Sequence, residues 1–201
     1  MLIGGQTGTG NSKTADGVPN NPARQGGQNQ LIVDELHGDS YETCYRGNLY
    51  SLANQAAVTT TAGLATTFTG LAIANPAGSG INLVLRRFSV GQVAVAVASS
   101  IGLMAGAGAA AGSLTPQNRF ISGPPSKATG SAGATIATPI LIETYGSVGS
   151  LATTGYGLQT GISVELKGSI IVPPGQFLAS YTTAACTSAF VFTFVWEEVP
   201  T

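Results

Sequence analysis

Charge is what this chain lacks most. Eight Lys and Arg and nine Asp and Glu leave 8% of the 201 residues charged, against about 25% in an ordinary soluble domain. With a net charge of −1, the scattered cations cannot make the dense phosphate-neutralising patch that direct nucleic-acid binding needs. A single histidine, His37, is the one imidazole base available to a nucleophile, and no Gly-x-Ser-x-Gly elbow occurs. The expectation is a protein that is not an enzyme and carries no cofactor. Cysteine is scarce too. Cys44 and Cys186 belong to no CxxC pair and read as two reduced thiols, one disulfide being the alternative if the fold joins them. Reduced thiols fit folding inside a cell. The start, Met1-Leu2-Ile3-Gly4-Gly5, lacks the basic residues and continuous apolar run of a secretory signal.

Bulky hydrophobic runs of membrane length are also missing. Val90 to Leu114 carries no charge and places Gly102 and Gly106 at the spacing of membrane-helix contacts, and it is long enough to span a bilayer. Its bulk, however, is Ala, Gly and Ser, a weak span signal. Val93-Ala94-Val95-Ala96-Val97-Ala98 alternates a β-branched residue with alanine, and period two predicts a strand, followed by a small-residue loop or short helix. No membrane association is expected.

What the chain has in quantity is β-sheet pattern. Phe190-Val191-Phe192-Thr193-Phe194-Val195-Trp196 sets four aromatics on one face of an extended segment and Val-Thr-Val on the other, so it belongs in the middle of a sheet. Val164 to Val172, the turn signal Pro173-Pro174-Gly175 and Gln176 to Tyr181 precede it, and its neighbouring strands are expected to be drawn partly from residues 162 to 181. Phe68 to Ala74 and Ile81 to Phe88 flank Asn75-Pro76-Ala77-Gly78-Ser79-Gly80, which reads as a hairpin loop. Leu31-Ile32-Val33 opens a strand, Tyr41 to Leu52 is strand or short helix, 122 to 134 is a Gly/Pro/Ser loop, and Pro139 to Glu143 resumes strand texture. The predicted fold is a mainly β antiparallel sandwich over residues 31–201.

Residues 1–30 differ. They hold seven Gly, two Pro, four Asn and four Gln, with Val18 the only larger aliphatic residue after Ile3. Such a segment cannot bury enough apolar surface to order itself, which predicts an extended N-terminal arm held by contacts beyond it. Leu2 and Ile3 offer an apolar anchor, Lys13 and Arg24 ionic ones.

Three patterns invite a chemical reading. Gly8-Thr9-Gly10-Asn11-Ser12-Lys13-Thr14 resembles a phosphate-binding loop but has Ser12 where glycine must precede the lysine, and no strand before it. Asp34, Glu35, His37, Asp39 and Glu42 gather the histidine with carboxylates; extended, Glu35, His37 and Asp39 would share a face open to a divalent cation. A turn at Gly38 with solvated charges is the plainer reading, and no metal is expected. Glycoside hydrolysis needs two acids across a cleft, and the C-terminal half has only Glu143, Glu165, Glu197 and Glu198. The last two read as ending the aromatic strand and keeping its edge soluble.

The Gly/Asn/Gln-rich start, Asp34-Glu35-Leu36-His37-Gly38, Tyr45-Arg46-Gly47-Asn48, Ala62 to Leu71 and Asn75 to Gly80, with the closing Pro173-Pro174-Gly175 and Phe194 to Pro200, resemble virion structural proteins of tailed bacteriophages. The resemblance is greatest to capsid decoration (cement) proteins with a jelly-roll-like domain. It implies a homotrimer made in the host cytoplasm and carried on the capsid surface, with the major capsid protein as partner. It transfers no site residue. Within that frame the arm is the expected capsid contact, and Val93, Val95 and Val97 the expected contact between copies. The alternative is a host-surface glycan recognition module of a fibre or tail, displaying a loop such as 122–134. Glycan sites use exposed aromatics, and that loop has only Phe120 nearby, which favours cement.

Overall fold

A computed structural model describes residues 38–94, 96–108, 112–148 and 161–201. The compact body runs over Ser40–Thr201. The extended arm expected over residues 1–30, with Leu2, Ile3, Lys13 and Arg24, lies outside the described residues, as do the Gly8–Thr14 loop, Leu31-Ile32-Val33, Asp34, Glu35, His37 and Val95.

One short helix, α1 (Tyr41–Tyr45), precedes eleven strands: β1 (Leu49–Ala53), β2 (Thr67–Ala74), β3 (Ile81–Gln92), β4 (Ser99–Ala107), β5 (Gln117–Asn118), β6 (Thr129–Thr135), β7 (Ile140–Val148), β8 (Ile162–Glu165), β9 (Ile171–Val172), β10 (Gln176–Thr182) and β11 (Phe190–Pro200). They form two antiparallel sheets, β5-β1-β11-β3-β8 with β9 also on β3, and β6-β2-β10-β4-β7. The winding is regular. β1, β2, β3 and β4 pair antiparallel with β11, β10, β8 and β7, so the chain is one long folded ribbon. The pairs β11 with β3 and β10 with β4 roll that ribbon into a sandwich with jelly-roll-like connectivity. Residues between β4 and β7 add β5 and β6 at the β1 and β2 edges.

The aromatic strand is central, as its pattern requires. Phe190, Phe192, Phe194 and Trp196 are all fully buried and join Leu71, Ile73, Leu83, Leu85, Phe88, Ile101 and Leu103 in the cluster between the sheets. Phe88 lies 5.4 Å from Phe194 and 6.2 Å from Phe192, ring to ring. Burial of each such ring contributes a few kcal/mol, which makes this layer the main source of stability. A second, smaller cluster of Phe68, Met104, Ile136 and Phe177 covers alanines of β2 and β10.

Several expectations need correction. The neighbours of β11 are β1 and β3; β8 reaches that sheet only through β3, and β10 lies in the other. Asn75 to Gly80 is not a hairpin loop, because β2 and β3 belong to different sheets and the turn crosses between them. The fully buried Asn75 holds the crossing: its amide donates to the carbonyls of Ile81 (2.8 Å) and Val172 (2.9 Å), and it accepts from Ser79 Oγ (2.6 Å). Val93, Ala94 and Ala96 to Ala98 form the β3–β4 connection and not a strand. The loop expected at 122–134 ends at Thr129, where β6 begins.

Gly102 and Gly106 also have another reason than membrane packing. A Cβ on Gly102 would collide with the Glu143 carbonyl of β7, and one on Gly106 would meet the Phe177 ring at 2.8 Å. Close strand and ring approach selects glycine at both. No helix among the described residues is long and apolar enough to cross a membrane.

Candidate functional site

Alternation along β3 fails at one point, and that point helps build a groove on the outer surface. Arg87 pairs with Val195 while Leu85 pairs with Trp196, so Arg86 is an extra residue opposite no partner, a β-bulge. A regular strand would aim one arginine at the core; the bulge turns both outward, with Leu85 and Phe88 on either side fully buried. Turn residues hold it in place: Leu166 N–H donates to the Arg86 carbonyl at 2.7 Å, and Gly168 N–H to that of Leu85 at 2.7 Å.

The groove, about 400 Å³, has Arg86, Arg87 and Arg119 on its walls and Leu49 and Val195 beneath, with α1 contributing Tyr41 and Cys44. Leu49 and Val195 are buried but stand outside the inter-sheet core. Arg86 Nη2 donates to Glu197 Oε2 at 2.8 Å. Arg87 Nη1 lies 3.9 Å from Glu165 Oε1, an ion pair too long for a hydrogen bond. Among the described residues, the buried Nε atoms of Arg86 and Arg87 have no hydrogen-bond partner, and Arg119 is in no ion pair. Three of the chain's eight cations thus line one groove, and two of them pair with a carboxylate.

An aromatic surface borders the groove. Tyr41 stacks on Tyr45 (5.9 Å, 9°), and Tyr45 meets the Phe120 ring edge-on (6.4 Å, 74°). All three are exposed. Asn118 fixes their spacing: its amide donates to the carbonyls of Gly47 (2.7 Å) and Pro124 (2.9 Å), and its oxygen accepts from Phe120 N–H (2.8 Å). Reasoning from the 122–134 loop alone missed the two tyrosines that α1 brings beside Phe120.

The remaining candidates fall elsewhere. Val93 and Val97 are exposed on the β3–β4 connection. Glu42 pairs with Arg46 at 3.6 Å, and Asp39 is exposed. Among the described residues no group of three or more His, Cys, Asp or Glu is placed to hold a metal. Cys44 and Cys186 are both free thiols. Glu197 and Glu198 do not end the strand, which continues to Pro200. Glu198 is instead buried, accepting from the Ser126 hydroxyl and from the N–H groups of Lys127 (3.0 Å) and Ala128 (3.4 Å). It raises the pKa of Tyr50 by its charge, adding to the larger effect of burial, while the Asn118 side chain opposes both. A second exposed feature is β7, an edge strand with Ile140, Leu141 and Ile142 all exposed.

No protein-family model, curated protein or solved structure matches the chain.

Proposed function

We propose that this chain is a non-enzymatic structural protein of a phage virion, a cement protein that binds the outside of the capsid and bridges shell subunits. The observation that carries the reading is the apolar edge strand. Ile140 (64% exposed), Leu141 and Ile142 stand on the rim of a sandwich, where an isolated soluble protein would place charge. An assembly that covers such an edge removes the cost of exposing it. Sparse charge and the resemblance to decoration proteins support the same reading. In it the copies form a homotrimer, with Val93, Val95 and Val97 between them, and residues 1–30 attach to the major capsid protein through Leu2, Ile3, Lys13 and Arg24. Fixing such an arm costs about 1–2 kcal/mol per residue, so its contacts must be many or repeated. Sedimentation and a particle-retention assay test this: the full chain sediments as a trimer and stays on capsids, and a chain lacking residues 1–30 remains folded and trimeric but is lost from them. A stable monomer at micromolar concentration overturns the trimer, and full retention of the truncated chain overturns the arm's role.

A second reading, a host-surface glycan recognition module, is favoured by one specific observation. Tyr41, Tyr45 and Phe120 form an exposed aromatic surface of the kind on which sugar rings stack. Binding of soluble oligosaccharides, measured by saturation-transfer NMR, tests it.

A further inference from the structure

The cationic groove and the aromatic surface are parts of one site. Tyr41 lines the groove and also stacks on Tyr45. Arg119 lines the groove and precedes Phe120, which meets Tyr45. A ligand seated across this border would lay a ring on the aromatics and reach into the arginines with an anionic group. We propose that it is an acidic saccharide, its sugar face on Tyr41, Tyr45 and Phe120 and its carboxylate held by Arg87 and Arg119.

The donors and the charge select this class. Arg86 is committed to Glu197 at 2.8 Å. Arg87 has only the loose contact to Glu165 at 3.9 Å, and Arg119 is in no ion pair among the described residues. These two guanidiniums therefore have forked donors to offer, the geometry that takes a carboxylate in bidentate fashion. Three arginines against Glu165 and Glu197 leave one net positive charge. One carboxylate balances it; a polyphosphate or a run of acidic residues exceeds it. A small inorganic anion would leave the aromatic border unused. The volume, about 400 Å³, suits one or two sugar rings within the usual range of about 300–1,000 Å³ for ligand sites.

The inference rests on the glycan reading, and the experiment separates the two. The full chain is titrated, with saturation-transfer NMR and calorimetry, against galacturonate, its methyl ester, sialyllactose, lactose, AMP and a Glu-rich peptide. Expected is binding of galacturonate or sialyllactose that weakens about tenfold on loss of the charge, in the methyl ester or in lactose. Arg119→Gln should weaken the acidic sugar about tenfold and leave the methyl ester unchanged. Phe120→Ala should weaken both sugars about threefold. Lys127→Gln, a cation that does not line the groove, should change neither, and circular dichroism should show all three variants folded. Equal binding of acidic and neutral sugars overturns this inference but preserves the glycan reading. No binding of any sugar overturns both. Tighter binding of AMP or of the peptide assigns the groove to another ligand class and overturns the acidic saccharide.

Discussion

Replacing Glu198 with alanine should cost far more than its position near the chain's end suggests. Only 8% of the residue is exposed, and its carboxylate accepts the Ser126 hydroxyl, Lys127 N–H at 3.0 and 3.3 Å and Ala128 N–H at 3.4 Å. Hydrogen bonds to a charged acceptor contribute about 1.5–3 kcal/mol each. Counting the Ser126 and Lys127 bonds as the strong ones gives about 3–6 kcal/mol. Removing the acid also relieves its own burial penalty, and water can reach part of the exposed donors, so the net loss should be about 2–4 kcal/mol. That is a large share of the ~5–15 kcal/mol by which a domain is stable, and it lowers the urea midpoint by about 1–2 M. Glu198→Gln, keeping one acceptor oxygen, should fall between. Urea unfolding followed by Trp196 fluorescence reads the stability, and hydrogen exchange at Lys127 and Ala128 reads the local release. Glu42→Ala, removing an exposed i,i+4 pair, is the control and should change stability by less than about 0.5 kcal/mol. If Glu198→Ala behaves like that control and the two amides keep their protection, the carboxylate is not what anchors this segment.

Two further outcomes follow from the packing. Gly102→Ala should destabilise by about 3 kcal/mol, because the added methyl meets the Glu143 carbonyl, which is backbone and cannot swing aside; Gly106→Ala, whose obstacle is the Phe177 ring, should cost less in the same unfolding assay. Tyr50 holds its proton more tightly folded than unfolded, through burial first and the Glu198 charge second. Its contribution is therefore complete below the unfolded phenol's pKa of about 10 and is lost as pH rises beyond that through the raised folded value; the wild-type minus Tyr50→Phe stability difference should shrink as pH rises above about 10. A difference that stays constant as pH rises past the phenol's ordinary pKa would refute this linkage.

The exposed Ile140 to Ile142 run is also guarded against simple strand addition. Register with β4 shifts twice along β7, leaving Tyr145 and Ile142 as extra residues. Bulges twist an edge away from flat pairing. Side-chain packing by a partner suits this edge better than a continuous backbone ladder does, which keeps it compatible with a closed oligomer while discouraging open-ended stacking.

The sequence by itself determined that this is a β protein with an aromatic central strand, because period two and turn residues are local signals that survive in any tertiary setting. It also left a trace of the bulge: two adjacent arginines, Arg86 and Arg87, interrupt the alternation of β3. Partner choice was decided only by the tertiary structure. Asn75 to Gly80 makes the same turn signal whether the chain doubles back or crosses to the other sheet, and the difference rests on Asn75 reaching Val172, 97 residues away. The burial of Glu198 depends likewise on Ser126 to Ala128, some 70 residues earlier. The groove required α1, the bulge in β3 and the turn after β5 to meet, three segments with no mark in common. Long-range pairing is fixed by the total apolar area that two sheets bury together, a quantity no short window of sequence contains.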